Sequence, residues 1–348
     1  MNINLERPIK LERAGAWRTY LGGKLIEQLH GKENAEDSNF PEEWIMSTVT
    51  ARNSGREHIV EGISVIDGTD ITLKQLIEEH TAECLGEKHA AKYGATPGVL
   101  VKLLDAAERL TIQVHPTREQ AKKLFDSEFG KTECWYIVGG RKINGEVPCI
   151  YFGFKEGITR EKWKDIFERQ DIPSMLDCLH KFEVQTGDTF LIEGGIPHAI
   201  GAGCFLVEIQ EPTDYTIRTE KTTPSGRTVS DFMCHQGLGF DKMFDCFDYT
   251  GYSKEETAKR WRIRPKGDAL IDYDNTEMFR LYEMNIDGER EFSPSGIFGG
   301  IYVLDGEGEI DGVSVRKGCQ FFISASCQPF TVKGKMKLIK YHGPKTEL

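Results

Sequence analysis

Beyond Trp135 most of this chain is written in short β segments that end on glycine, as in WYIVGG, PCIYFGF, DTFLIEGG, FLVEIQE, RLYEMNI and GGIYVLDGEGEI. Such segments bury a core only by closing into a sandwich or barrel, because no single one is long enough to do so alone. The pattern also repeats. ECWYIVGGRKINGE, followed later by VQTGDTFLIEGGIPHAI, lies over GIYVLDGEGEIDG followed by VRKGCQFFISASCQPFTV. A helical insert accounts for the unequal spacing. The chain is therefore expected to be mainly β, a double jelly-roll with helical insertions, one unit elaborated and one plain. In the overlay Glu133 falls on Gly299 and His198 on Pro329, so the second copy is expected to be structural.

The units are expected over 1–250 and 251–348, with the polar stretch GYSKEETAKRWRIRPKGDALIDYDN (251–275) as the best linker candidate. Helical periodicity runs through ITLKQLIEEHTAECLGEKHAAK, where Leu73, Leu76, Ile77, His80 and Cys84 form one stripe and His80 is read as a half-buried member. A helix should start after His115, since Thr117 and Gln120 have capping-box spacing. Two further helical segments are read at 158–182 and 230–247.

The 348 residues carry 44 basic and 55 acidic side chains, a net charge of −11 that disfavours nonspecific binding to nucleic acid or anionic membranes. Neither a signal-peptide core nor a long apolar run is present, so a cytoplasmic location is expected. Nine scattered cysteines without a CxxC are read as reduced thiols.

Against this background LTIQVHP stands out. If it is extended, Thr111, Gln113 and His115 share one face and Ile112 and Val114 the other, so a glutamine and a histidine point together at solvent or into a polar cavity. Two more segments offer metal-binding side chains near turns: Glu133 in GKTECWYIV and His198 in GGIPHAIGAG. In FLVEIQEPTDYTIR the alternation turns Glu208 and Gln210 to the same side.

GDTFLIEGGIPHAI resembles the second signature of the cupin superfamily. VLVKLLDAAERLTIQVHP, GKTECWYIV, GDTFLIEGGIPHAIGAG and VEIQEPTDYTIR, in that order between residues 99 and 218, resemble the class I zinc-dependent mannose-6-phosphate isomerases. The resemblance implies a bicupin with Gln113, His115, Glu133 and His198 as metal ligands. It implies one Zn2+ per chain, although the absence of a thiolate leaves other divalent metals open. It further implies that Glu208, Asp214 and Arg218 line the active site, that Lys131 reaches a sugar phosphate substrate, and that Arg218 is a catalytic or oxyanion-stabilising group. The implied reaction interconverts mannose 6-phosphate and fructose 6-phosphate through an enediolate.

The resemblance weakens near the start. Members of that family commonly carry a tryptophan followed by two glycines and then a Trp-Glu-Ile-Ser segment, where this chain has AWRTYLGGKL and EEWIMSTVT, with Trp17, Gly22, Gly23 and Trp44 as remnants. A changed wall around Arg18 bears on which sugar is accepted. The alternatives are an isomerase of another sugar phosphate, an Fe(II) cupin oxygenase, against which Gln113 argues, and a noncatalytic sugar sensor, which need not keep Lys131 and Arg218.

Overall fold

The computed structural model describes residues 3–346 apart from 54, 57 and 295. Among them the strands form three sheets in which every named strand pair is antiparallel. The first, of five strands, runs Ile217–Arg218, Gln113–Val114, His198–Ile200, Cys149–Phe154 and Leu179–Glu183. The second, of seven, runs Arg262–Ile263, Thr189–Ile192, Glu133–Gly140, Cys204–Gln210, Leu100–Asp105, Glu42–Ile45 and Ala14–Ala16. The third, also of seven, is built on the long strands Arg280–Phe292, Gly299–Ile310 and Phe330–His342.

The period of two decides how these sheets stack. In the second sheet Trp135, Ile137, Leu104 and Leu206 turn toward the first and pack with Ile150, Phe152, Phe182 and Ile200. The alternate residues Val101, Leu103, Cys134, Tyr136, Val207 and Ile209 turn the other way and pack with Leu281, Tyr302, Ile339 and Tyr341 of the third. The third sheet keeps its own interior around Ile301, Val303, Phe321 and Leu338. The outer face of the first sheet is covered by helices through Trp163, Ile166, Phe167 and Met175. Two jelly rolls, with polar side chains inside the first, are the result.

The repeat survives at the level of register. Glu133 pairs with Ile192 and Gly299 with Ile323. His198 lies as far beyond Ile192 as Pro329 lies beyond Ile323. The same three-strand order recurs: Glu133–Gly140 sits between Thr189–Ile192 and Cys204–Gln210, and Gly299–Ile310 between Gln320–Ile323 and Phe330–His342.

Thr117 caps the helix Arg118–Phe125 as its spacing predicts, its hydroxyl accepting from the Gln120 amide while the Gln120 side chain accepts from the Thr117 N–H. The stretch 158–182 holds Arg160–Glu168 and Ile172–Asp177, and 230–247 holds Asp231–His235 and a 3₁₀ turn at Lys242–Cys246. Two expectations need correction. His80 is exposed, because the helix stops at Glu79 and resumes as Thr81–Leu85 and Glu87–Tyr93. The stretch 251–275 is no linker: it forms the helix Lys254–Trp261, whose Thr257 and Trp261 are buried and whose indole N–H donates to Glu193. Pairing also crosses residue 250 in both directions, since Arg262–Ile263 joins Thr189–Ile192 and Ile9–Leu11 joins Gln320–Ile323.

Candidate metal centre and active site

Inside the first barrel the strand Gln113–Val114 lies between His198–Ile200 and Ile217–Arg218, with Gln113 in register with both His198 and Arg218. Glu133 begins the opposing strand. The two histidine loops are tied together directly: the Gly195 N–H donates to the His115 carbonyl at 2.8 Å, with Gly195 at a φ of +90°. A side chain on Gly194 would meet the Thr117 backbone at 2.7 Å, so EGGIPH needs both glycines to bring His198 to His115.

His115 donates from Nδ1 to the Tyr215 carbonyl at 2.9 Å, and His198 from Nδ1 to the Ile196 carbonyl at 2.8 Å. That fixes both tautomers with an Nε2 lone pair facing inward. His115 Nε2 lies 3.3 Å from Glu133 Oε2, and His198 Nε2 lies 3.4 Å from Glu133 Oε1. Burial pushes both imidazoles below their usual pKa, which keeps them neutral and able to ligate. Gln113 approaches His198 Nε2 at 3.2 Å, and a half-turn of its amide presents the carbonyl oxygen instead.

Whether a metal ion fits is settled by the unmet valences. Both Glu133 oxygens and His115 Nε2 are buried without a hydrogen-bond partner, and a carboxylate with no hydrogen bond in such a place is costly. A divalent cation answers all three at once. Ligand atoms of His115, Glu133 and His198 lie within 4.8 Å of one another, the one such group of His, Cys, Asp or Glu among the described residues. One metal equivalent per chain is therefore expected and none from the second barrel. Elemental analysis that finds a second tight equivalent would overturn this.

A cavity adjoins the group through Gln113 and Lys131. Lys131 and Gln113 belong to its wall, with Lys102, Glu208, Asp214 and Arg218. Lys131 Nζ is 3.7 Å from Glu133 Oε2, and burial lowers its pKa although Glu133 opposes the shift. Glu208 is held by Lys102 at 2.8 Å, in register across the sheet. Gln210, which alternation turns to the same side as Glu208, is not part of this wall and braces the following loop, its amide donating to the Glu211 and Thr213 carbonyls. Arg218 donates through Nη1 to the carbonyls of Thr216 and Met233, at 3.1 and 3.0 Å, and has no carboxylate within 4 Å among the described residues. The lining holds six cationic and three anionic side chains, in a chain whose net charge is −11. An anionic ligand suits that excess.

Sequence reasoning missed part of the wall. Glu42 accepts from Tyr20 Oη at 2.7 Å, Trp44 Nε1 at 2.7 Å and Arg18 Nε at 3.0 Å, and Arg18 reaches Asp214 at 3.5 Å. Lys102 had a signal, a lone lysine inside the apolar strand LVKLLD. Burial alone would raise the Glu42 pKa, but Arg18 and Lys102 outweigh it and hold the carboxyl down to about 2. Because the folded pKa is depressed, this stabilisation is fully present above the ordinary carboxyl pKa of about 4.5 and is lost as the pH falls toward about 2. Glu42→Gln is expected to cost about 3 kcal/mol at neutral pH, since it leaves buried cations short of a partner. Urea unfolding should also show a flatter pH dependence between about pH 4.5 and 2. Equal stability of variant and wild type at neutral pH would refute it.

Two stacked jelly rolls, the first enclosing two inward-facing imidazoles and a carboxylate, define a metal-binding bicupin. The comparisons narrow the class. The family described as phosphomannose isomerase type I, catalytic domain, matches residues 26–132, and that described as mannose-6-phosphate isomerase, cupin domain, matches residues 270–343. The chain belongs to the type I phosphomannose isomerases. It is 26% identical over 288 residues to mannose-6-phosphate isomerase ManA of Bacillus subtilis strain 168, covering 79% of this chain and 86% of that one. The crystal structure of the mannose 6-phosphate isomerase from Bacillus subtilis superposes with a TM-score of 0.71 at 22% identity, over 97% of this chain and 99% of the other. A mannose 6-phosphate isomerase bound with zinc and yttrium superposes at 0.73 and 15% identity, over 97% of this chain and all of the other.

Proposed function

We propose that this chain is a zinc-dependent aldose-ketose isomerase that interconverts mannose 6-phosphate and fructose 6-phosphate. The observation that carries this reading is the placement of Arg218, a guanidinium with no carboxylate partner among the described residues, in the same cavity wall as Gln113 and Lys131, which themselves reach His198 at 3.2 Å and Glu133 at 3.7 Å. Family membership supports it.

Gln113, His115, Glu133 and His198 would hold the ion, which supplies positive charge to the oxygen that becomes anionic as the enediolate forms. The chain's own residues must do the rest. Isomerisation removes the proton from C2 of the aldose and returns it to C1, while a hydroxyl proton passes from O2 to O1. Glu208, kept in place by Lys102, is a carboxylate within this wall that can carry a proton. Lys131, with its proton held less tightly than on a free lysine, can donate to a substrate oxygen. Asp214, charged because Arg18 and Lys131 outweigh its burial, restrains the cationic side of the wall. Arg218 offers its remaining N–H groups to an oxyanion or phosphate. A cytoplasmic setting is supported by nine free thiols, eight of them buried, and by the phosphorylated substrate.

The test is turnover of the purified protein on mannose 6-phosphate beside glucose 6-phosphate and a pentose phosphate, with metal content measured on the same sample. Fructose 6-phosphate should form from mannose 6-phosphate at the highest kcat/KM. No turnover on any of the three by metal-loaded protein would favour a sugar-binding role without catalysis.

A further inference from the structure

The second barrel has lost the metal-ligating positions, Gly299 and Pro329 standing where Glu133 and His198 stand in the first, yet it encloses a cavity of about 430 Å³. That falls within the range of roughly 300–1,000 Å³ usual for small-molecule sites. Its floor is the barrel's apolar interior, with Phe292 stacked on Phe330 at 5.5 Å between centroids. Its wall is cationic: Lys266, Arg280, Arg290 and Lys340 face it, and Asp268 alone among the carboxylates.

The cations are not equally neutralised. Lys266 pairs with Asp274 at 3.2 Å, Arg280 with Asp272 at 2.8 Å and Arg290 with Asp268 at 3.5 Å. Lys340 has no hydrogen bond or ion pair among the described residues, and its Nζ lies 5.7 Å from the centre of the Phe292 ring. Burial, then Arg290 and Arg280, lower its pKa, so both guanidiniums are close enough to repel it. A lysine laid over an aromatic ring is a common way to cover apolar surface. It does not explain why Arg290 lies over the same Phe292 ring, at 5.8 Å, and why Arg280 shares the wall with both in an acidic protein, an excess of positive charge that an anionic ligand would offset. The neighbouring His342 adds no charge: burial takes its pKa down to about 4 while Nδ1 bonds the Phe298 carbonyl at 2.8 Å.

We propose that the C-terminal barrel is a second ligand site, which takes a small organic phosphate with its phosphoryl group among Lys340, Arg280 and Arg290 and its carbon skeleton on Phe292 and Tyr282. Where the first barrel gathers anionic and neutral ligands for a cation, the second gathers cations for an anion. The site is independent of the isomerase reading, because it shares no residue with the catalytic cavity.

Titration calorimetry on the full chain with glucose 6-phosphate, adenosine monophosphate and inorganic phosphate tests it. At least one ester should bind Arg218→Gln, in which the catalytic cavity is impaired, with one site per chain. Lys340→Gln added to Arg218→Gln should weaken that event at least tenfold, and Lys340→Gln alone should leave kcat on mannose 6-phosphate unchanged. Arg290→Gln should give the same loss, and stands in should Lys340→Gln melt early. The proposal falls if neither ester binds, if binding is equal in wild type and both second-barrel variants, or if Arg218→Gln abolishes all binding. Inorganic phosphate binding as tightly as the esters would overturn the organic part of the assignment.

Discussion

With His198 replaced by alanine, the protein is expected to carry no stoichiometric zinc and to lose isomerase turnover. His198 is fully buried, its Nδ1 committed to the Ile196 carbonyl and its Nε2 aimed at the Glu133 carboxylate. Replacing it removes a ligand whose orientation the fold already fixes. Disturbing even the partners of metal ligands weakens binding about tenfold to a hundredfold, so losing the ligand itself should exceed about a hundredfold. The second consequence is thermodynamic. An ion bound only to the folded chain stabilises it by about 4 kcal/mol when its free concentration is about a thousand times Kd. A chelator should therefore lower the melting temperature of wild type and leave that of His198→Ala unchanged. Full zinc content in both His198→Ala and His115→Ala would show that the ion sits elsewhere.

How far such a site could be read from the chain depends on the range of the interactions that build it. Gln113 and His115 were legible because strand alternation is local, and so was the Thr117 cap, which involves residues three apart. The overlay that set Glu133 on Gly299 is reproduced by the strand register, Glu133 opposite Ile192 and Gly299 opposite Ile323, because both copies bury the same faces. What escaped was long-range. The departure from the family pattern marks a wall around Arg18 but not Tyr20 and Glu42, which reach the cavity because the strands Ala14–Ala16 and Glu42–Ile45 add to the edge of the second sheet, and nothing in AWRTYLGGKL names its partner strand. The helix Lys254–Trp261 was hidden by its polar composition, since Thr257 and Trp261 are its buried residues and Ala258 adds a half-buried contact. Local pattern shows which side of an element is buried; it does not show against what.

Arg218→Lys is expected to reduce turnover about a hundredfold to a thousandfold while fold and metal content are kept. The residue next to it, Ile217, is fully buried and pairs with Val114, so the strand is held by packing that the substitution leaves alone. Arg218 itself spends one nitrogen, Nη1, on the Thr216 and Met233 carbonyls. Its other N–H groups belong to the same rigid plane, so fixing Nη1 aims them. Burial lowers the pKa of the guanidinium, but a group that starts above 12 stays charged at any pH the enzyme meets. Lysine keeps the charge and loses the plane: its ammonium can satisfy the wall carbonyls or reach a substrate oxygen, with no geometry that does both. Loss of an interaction made mainly as the enediolate forms lowers kcat, whereas loss of a phosphate contact made throughout raises KM. Steady-state kinetics on mannose 6-phosphate therefore shows which group of the substrate Arg218 faces. A variant that melts like wild type, holds one zinc and turns over at the wild-type kcat/KM would remove Arg218 from the catalytic set and shift its role to Lys131, 3.7 Å from Glu133.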